Sequence, residues 1–293
     1  PGKELNSGSD FPEWRKNMSG KLILVGTPIG NLNDMSPRAV KALEEADFIA
    51  AEDTRVTMKL LNHFGVKKPM ISYFEHNKRQ KGKYIVDRIL SGEACVLVSD
   101  AGMPAISDPG EELVAQCLEQ NVKITVVPGP SAVVSAVAIS GLTTGRFTFE
   151  GFLSVNKKSR FEHLESVKNE SRTMVFYEAP HKLLRTLKDF YKIFGNRKIS
   201  IVRELTKVHE EVVLTTIKDA IDKYENEPIR GEFVLVVDGK KDSKQSENIT
   251  LEMAVEMARR LLNEGYTVSD AAKQIAKKTS LKKSDIYKGI LEV

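Results

Sequence analysis

The sequence predicts an α/β protein in two lobes, a mostly parallel sheet followed by a mixed one, with a small helical module after them. Three observations predict it. From Lys21 to Ile139, short apolar runs rich in Val and Ile alternate with helical segments, and several runs end in Gly/Pro/Asp loops. Beyond Gly145 the run Glu211-Val212-Val213-Leu214-Thr215-Thr216 can pair antiparallel with a neighbour. After Thr250 the apolar spacing is helical throughout.

The elements follow in order. Lys21–Val25 is the first strand and ends in Gly26-Thr27-Pro28-Ile29-Gly30-Asn31; a helix starts near Pro37 with Ser36 as its cap. Residues 47–51 form the second strand, which closes on Glu52-Asp53-Thr54-Arg55. Helix is expected over 57–63 and again over Lys78–Leu90. Ala94-Cys95-Val96-Leu97-Val98 is a buried strand that runs into Ser99-Asp100-Ala101-Gly102-Met103-Pro104-Ala105-Ile106-Ser107-Asp108-Pro109-Gly110. Gly102 and Gly110 permit close backbone approach, Asp100 sets a carboxylate at the strand tip, and Pro109 suits the start of a helix over 111–120. Lys123–Val127 is a strand ending in Pro128-Gly129-Pro130-Ser131, followed by a small-residue helix, Ala132–Ile139, whose face suits packing on a sheet. Parallel strands with right-handed crossovers carry these loops on one edge, where open α/β sheets hold ligands.

Further strands are expected at 147–150, 173–177, 198–202, Glu211–Thr216 and Phe233–Val237, with helices at 157–168 and 182–194. Thr250, Ser269 and Ser284 start three short helices of helix-turn-helix shape. The expected division is a flexible leader over 1–18, an N-terminal lobe over 19–128, a C-terminal lobe over 129–239, a lysine-rich linker over 240–249 and the helical module over 250–293.

Composition removes several function classes. A chain of 293 residues with 41% hydrophobic content has material for two domains. No apolar run approaches the roughly 18 residues a membrane span needs. Cys95 and Cys117 form no disulfide framework, and the five histidines lack metal-ligand spacing, so no metal is expected. The usual glycine-rich dinucleotide and phosphate fingerprints are missing. The net charge of +4 is mild; the segment 240–293 holds 11 Lys/Arg against 8 Asp/Glu and so carries most of it.

Several motifs occur in a fixed order: Leu24-Val25-Gly26-Thr27-Pro28-Ile29-Gly30-Asn31-Leu32, Ala51-Glu52-Asp53-Thr54-Arg55, Ser72-Tyr73-Phe74-Glu75-His76-Asn77, the Asp100 loop and Val127-Pro128-Gly129-Pro130-Ser131-Ala132. Phe176-Tyr177-Glu178-Ala179-Pro180-His181, Arg203-Glu204-Leu205-Thr206-Lys207 and Gly231-Glu232-Phe233 follow. The ordered set resembles the tetrapyrrole methylase superfamily, and within it the ribosomal RNA small-subunit methyltransferase I group, over about Lys21 to Asp238 and the helical tail. That resemblance implies S-adenosylmethionine as methyl donor, bound between the lobes and released as S-adenosylhomocysteine. It implies a cytoplasmic homodimer that methylates a cytidine ribose 2′-hydroxyl of 16S rRNA. Carried onto this chain, the cofactor contacts fall at Pro28, Ile29, Asp100, Ala101, Gly102, Met103, Ile106, Ser131, Ala132, Tyr177, Glu178, Ala179, Gly231 and Glu232.

The residues themselves leave the chemistry more open. A sulfonium methyl is already electrophilic, so alignment of donor and acceptor does much of the work. A ribose hydroxyl is a weak acid that a base would assist. Asp53, Arg55, Glu75 and His76 are the catalytic candidates, with Glu178, His181 and Glu204 as further bases and Arg203 as a further cation. No single base stands out, and transfer by positioning alone fits equally. Asp53 and Arg55 also suit a structural ion pair, Glu178 a helix start, and Glu75-His76-Asn77 a turn. The basic run Lys78, Arg79, Lys81 and Lys83, and Lys273, Lys277, Lys278, Lys282 and Lys283 in the tail, suit phosphate contacts that do not read sequence; on charge alone the tail lysines also suit an ordinary solvated helix face. The expected substrate is 16S rRNA assembled in the 30S subunit. Two other classes remain: methylation of a corrin or porphyrin precursor, and a non-catalytic RNA-binding factor.

Overall fold

The computed structural model describes residues 20–241, 250–279 and 281–292. The expected leader, with Phe11 and Trp14, and nearly all of the linker lie outside the described residues.

The first sheet has five parallel strands in the order β3-β2-β4-β1-β5, formed by Lys21–Val25 (β1), Phe48–Ala51 (β2), Met70–Ser72 (β3), Ala94–Val98 (β4) and Lys123–Val127 (β5). β2 and β4 are buried along their whole length, as expected of a sheet covered on both faces. Helix α1, Pro37–Glu45, is started by Ser36, whose Oγ accepts the Ala39 N–H at 3.1 Å, and by Pro37 in its first turn. It joins α2, Thr54–His63, over the face built from Ile23, Ile49 and Val96. Helices α3, Lys78–Leu90, and α4, Gly110–Glu119, cover the other face through Ile85, Ile89, Leu113 and Cys117. The loops after β1 and β4, adjacent in the sheet, therefore lead to helices on opposite faces. A crevice opens between them at the carboxyl edge.

The second sheet is mixed, in the order β6-β7-β10-β8-β9, from Phe147–Phe152 (β6), Thr173–Glu178 (β7), Lys198–Arg203 (β8), Glu211–Thr216 (β9) and Phe233–Val237 (β10). β6 runs parallel to β7 and the remaining pairs are antiparallel. On one face pack α6, Lys157–Ser166, α7, Leu183–Phe194, and α8, Ile217–Asn226, around Leu164, Phe176, Phe190 and Ala220. On the other, α5, Ala132–Ile139, sets Ala136 and Val137 against Val175, Val202 and Val234. Antiparallel β10 brings its first residue, Phe233, opposite both Glu178 and Arg203, the last residues of β7 and β8. Three chain segments thereby meet at one edge.

Both sheets belong to one compact unit. A second unit, Asn169–Ser171 with Gly239–Val293, contains α9, Leu251–Asn263, α10, Val268–Lys278, and α11, Lys283–Leu291. Its own small core is Ala254, Ala258, Ala271, Ala272, Ile275, Ile286 and Ile290. Thr267, rather than Ser269, caps the second of these helices, accepting the Asp270 N–H. Among the described residues no helix is long and apolar enough to cross a membrane.

Candidate functional site

The loops after β1, β4 and β5 are locked together by close backbone contact. A methyl added to Gly26 would sit 2.7 Å from Gly129 Cα, so neither position has room for a side chain. Thr27 and Gly102 exchange two backbone hydrogen bonds, of 2.9 and 3.1 Å. Gly102 sits at φ +84°, which glycine adopts freely and other residues resist. A side chain at Gly102 would therefore strain the loop itself besides pressing on Ile29 and the Pro130 carbonyl.

The loop continues under visible constraint. Ala105 and Ser107 lie at φ +65° and +67°, a region that costs non-glycine residues about 1–2 kcal/mol each. Asp108 holds them there: its carboxylate accepts N–H bonds from Ala105 at 3.0 Å, Ile106 at 3.3 Å and Gly110 at 2.8 Å. Strain retained by such a bracket marks a loop shaped for contact with something else.

Below this loop a cavity of about 610 Å³ opens, within the size range of small-molecule sites. From the first sheet it is lined by Ile29, Glu52 and the segment 99–103 with Ile106, Ser107 and Asp108, and beyond β5 by Ser131 and Ala132. From the second sheet come Phe152, 177–181, Val202, Leu205 and 232–234. Tyr177 packs edge-on against Phe149, and burial pushes its phenol above the ordinary value. Glu178 is 4% exposed; its carboxylate accepts the Ala179 N–H at 2.9 Å and the Thr186 hydroxyl at 2.6 Å.

The electrostatics have one sign. Glu52, Asp100, Asp108, Glu178 and Glu232 line the cavity, and among the described residues no lysine or arginine does. Burial, with Asp100 nearby, raises the Glu52 carboxyl above its ordinary value; burial and Asp53 raise Asp100, although the Asp53 N–H donates to its Oδ1 at 2.9 Å. Carboxylates whose charge is disfavoured, against apolar walls of Ile29, Met103, Leu205 and Val234, suit a cationic ligand with a large apolar part.

Of the expected cofactor positions, Ile29, Asp100, Ala101, Gly102, Met103, Ile106, Ser131, Ala132, Tyr177, Glu178, Ala179 and Glu232 line this cavity; Pro28 and Gly231 do not. Gly231, at φ +91°, is the turn that lets the Glu232 N–H reach Glu204 Oε1 at 2.9 Å, and Lys207 Nζ bridges both carboxylates. Glu204 is therefore committed to the loop, its carboxyl held below the ordinary range by Lys207. None of the four catalytic candidates lines the cavity. Asp53 caps α2 through the Arg55 N–H at 2.8 Å and pairs with the Arg55 guanidinium at 2.6 Å, which holds its carboxyl down to about 2. Glu75 pairs with Lys78 at 2.8 Å, and His76 stands edge-on to Phe74. His181 does line the cavity, as do Glu52, Asp108 and Phe152, which sequence reasoning did not assign. Glu52 was within reach of it, since β2 pairs with β4 up to Ala51 and Val98, so the next residues, Glu52 and Ser99, leave the sheet together.

The comparisons with known proteins agree with this architecture. The family model described as Tetrapyrrole (Corrin/Porphyrin) Methylases matches residues 21–221. A Thermotoga maritima protein named Ribosomal RNA small subunit methyltransferase I is 48% identical over 222 residues, 76% of this chain and 100% of that protein. A protein of the same name from Halalkalibacterium halodurans is 44% identical over 275 residues, 93% of this chain and 95% of its own length. Among solved structures, a cobalt precorrin-4 methyltransferase of cobalamin biosynthesis superposes with a TM-score of 0.55 at 20% identity, covering 75% of this chain and 95% of its own, a likeness of fold. The chain belongs to the tetrapyrrole (corrin/porphyrin) methylase family and, within it, to the ribosomal RNA small subunit methyltransferase I group.

Proposed function

We propose that this protein uses S-adenosylmethionine to methylate the ribose 2′-hydroxyl of a cytidine in 16S rRNA, acting on the 30S subunit as a cytoplasmic homodimer. The observation that carries the methyltransferase reading is the apolar-walled cavity with five carboxylates and neither lysine nor arginine in its lining, in a chain whose relatives share an rRNA methyltransferase name. Those residues fit the donor: carboxylates answer a sulfonium and an ammonium, apolar side chains answer a nucleoside, and Gly102 leaves a cradle that a side chain would crowd.

When bound, S-adenosylmethionine supplies an activated methyl group on a cationic sulfur. The chain's own residues bind, orient and exclude water. The paired Thr27–Gly102 backbones and the Asp108 bracket fix the loop before any ligand arrives, so little ordering is left to the binding step. The second-sheet residues Tyr177 to His181 close the opposite wall and limit solvent. Glu52 and Asp100, with carboxyls raised above their ordinary values, are the groups at this edge best disposed to accept a hydroxyl proton. Arg55, its side chain 87% exposed beside them, is placed to meet phosphate.

The test is transfer of labelled methyl from S-adenosylmethionine to 30S subunits lacking the modification, with 2′-O-methyl groups mapped on the rRNA. One new 2′-O-methylcytidine in 16S rRNA is expected. Arg55→Ala is expected to lower that transfer about tenfold, the order one charged hydrogen bond supplies, while cofactor affinity stays unchanged. Label entering a uroporphyrinogen or precorrin instead of rRNA would contradict the proposal.

A further inference from the structure

We propose that Phe152 is the seat of the target nucleobase, the surface on which the cytosine stacks while its ribose is held at the methyl donor; this rests on the rRNA reading above. Among the described residues, Phe152 and Ile106 are the large apolar side chains that are both exposed, at 58% and 53%, and part of the cavity lining. The deeper apolar wall is shielded: Phe233, Val234 and Leu205 are each no more than 9% exposed. A ligand enclosed by the cavity meets those residues first. The exposed ring at the rim is left for a group arriving from solvent.

The ring is built into place. A bulge between Phe149 and Gly151 shifts the register of β6 against β7, with Gly151 at φ +66°. Phe152 then pairs with Tyr177 across the strands, ring centroids 5.3 Å apart at 59°. The contact leaves Phe152 58% exposed. A methyl added to Gly151 would lie 3.7 Å from Ser107 Oγ, so the bulge adjoins the strained loop that carries Ile106. The next residue, Leu153, is buried in the core. Arg160, 4% exposed, ties down the two residues after it: its Nη1 donates to the Ser154 and Val155 carbonyls, both at 3.2 Å, and its Nε to Asp189 at 2.8 Å. An exposed aromatic on a pinned backbone has less freedom to lose on binding, which suits a rigid planar partner. Lys157 and Lys158, exposed in the first turn of α6, come next on the same segment and can meet the backbone of the strand that delivers the base. An unstacked base needs such a face, because leaving its neighbours forfeits stacking energy that an aromatic side chain restores.

The test compares Phe152→Ala, Phe152→Leu and Phe152→Tyr in the full chain, with 30S methylation measured at saturating S-adenosylmethionine and cofactor affinity measured by calorimetry. Because the ring is exposed, the variants are expected to unfold like the parent. Phe152→Ala is expected to lower kcat/KM for the 30S subunit by about five- to hundredfold, the range of one base–aromatic stack. Cofactor affinity is expected to hold, with Phe152→Tyr restoring turnover and Phe152→Leu failing to. Loss of cofactor affinity in step with turnover would make Phe152 a wall of the donor site and overturn the inference. So would rescue by leucine, or an unaffected Phe152→Ala beside an active parent. A parent protein that methylates neither 30S subunits nor rRNA overturns the proposed function and this inference with it.

Discussion

At the scale of single residues, the carboxylates divide by what faces them. Asp53 has Arg55 and a helix N-terminus, so it stays ionised down to about 2. Its contribution to stability is present above the ordinary carboxylate value and disappears only as pH falls through about 2. Glu52 is shifted the other way by burial and then by Asp100, and Asp100 by burial and then by the Asp53 charge. Their folded values exceed the unfolded ones, so holding them ionised costs stability at neutral pH, and that cost is relieved on acidification. A cation in the cavity reverses the balance. Binding of S-adenosylmethionine is therefore expected to release protons, and its affinity to weaken as pH falls through a range above that of ordinary carboxylates. S-adenosylhomocysteine, without the sulfonium charge, should show a smaller dependence. Calorimetry in buffers of different ionisation enthalpy reads this directly; pH-independent binding without proton release would contradict it. Asp100 could be singled out in the sequence because it stands at a strand tip among Gly and Pro. Phe152 could not, because its position depends on a bulge that strand alternation does not reveal.

At the scale of elements, legibility follows length and capping. Helices whose cap stands clear of the preceding strand, such as α1 behind Ser36, and fully apolar strands, such as β4, are found where the pattern puts them. β3 escapes because it has three residues and follows Pro69 directly. α8 escapes because Thr216 is both the last residue of β9 and the helix cap, accepting the Asp219 N–H, so no loop separates the two periods. Its signal was present in Ile217, Ala220 and Tyr224 at helical spacing, all buried. The second sheet depends on α7, where Phe190 is fully buried and its ring lies 4.8 Å from Phe176 and 5.2 Å from Phe194. Phe190→Ala is expected to cost about 3–5 kcal/mol, through lost burial and the cavity left behind. Urea unfolding would measure it, and a loss below about 1 kcal/mol, no more than removal of a single buried methyl commonly costs, would show that α7 does not anchor the sheet.

At the scale of the whole molecule, two sheets supply the two walls of one cavity, while the three-helix unit has a separate core. The Thermotoga maritima relative is matched along its full length by 76% of this chain, so a protein of that name is shorter than this one. Removal of the helices after Asp238 is accordingly expected to leave cofactor affinity intact. It should weaken attachment to the 30S subunit and flatten its salt dependence, as expected when lysine–phosphate contacts are lost. Loss of cofactor binding in the truncated chain would instead tie the helical unit to the site. The order of motifs made the first sheet's edge and the family legible. The closing of the cavity was not, because it arises from antiparallel β10 bringing Phe233 opposite Glu178 and Arg203, a long-range pairing.

The claim beneath all of these is that the loops at the edges of the two sheets enclose the methyl donor. A crystal structure of the protein with S-adenosylhomocysteine tests it most directly. Density is expected within the cavity, against the segment 100–103 on one side and 177–179 on the other. Ordered density elsewhere on the molecule, with this cavity empty, would contradict it.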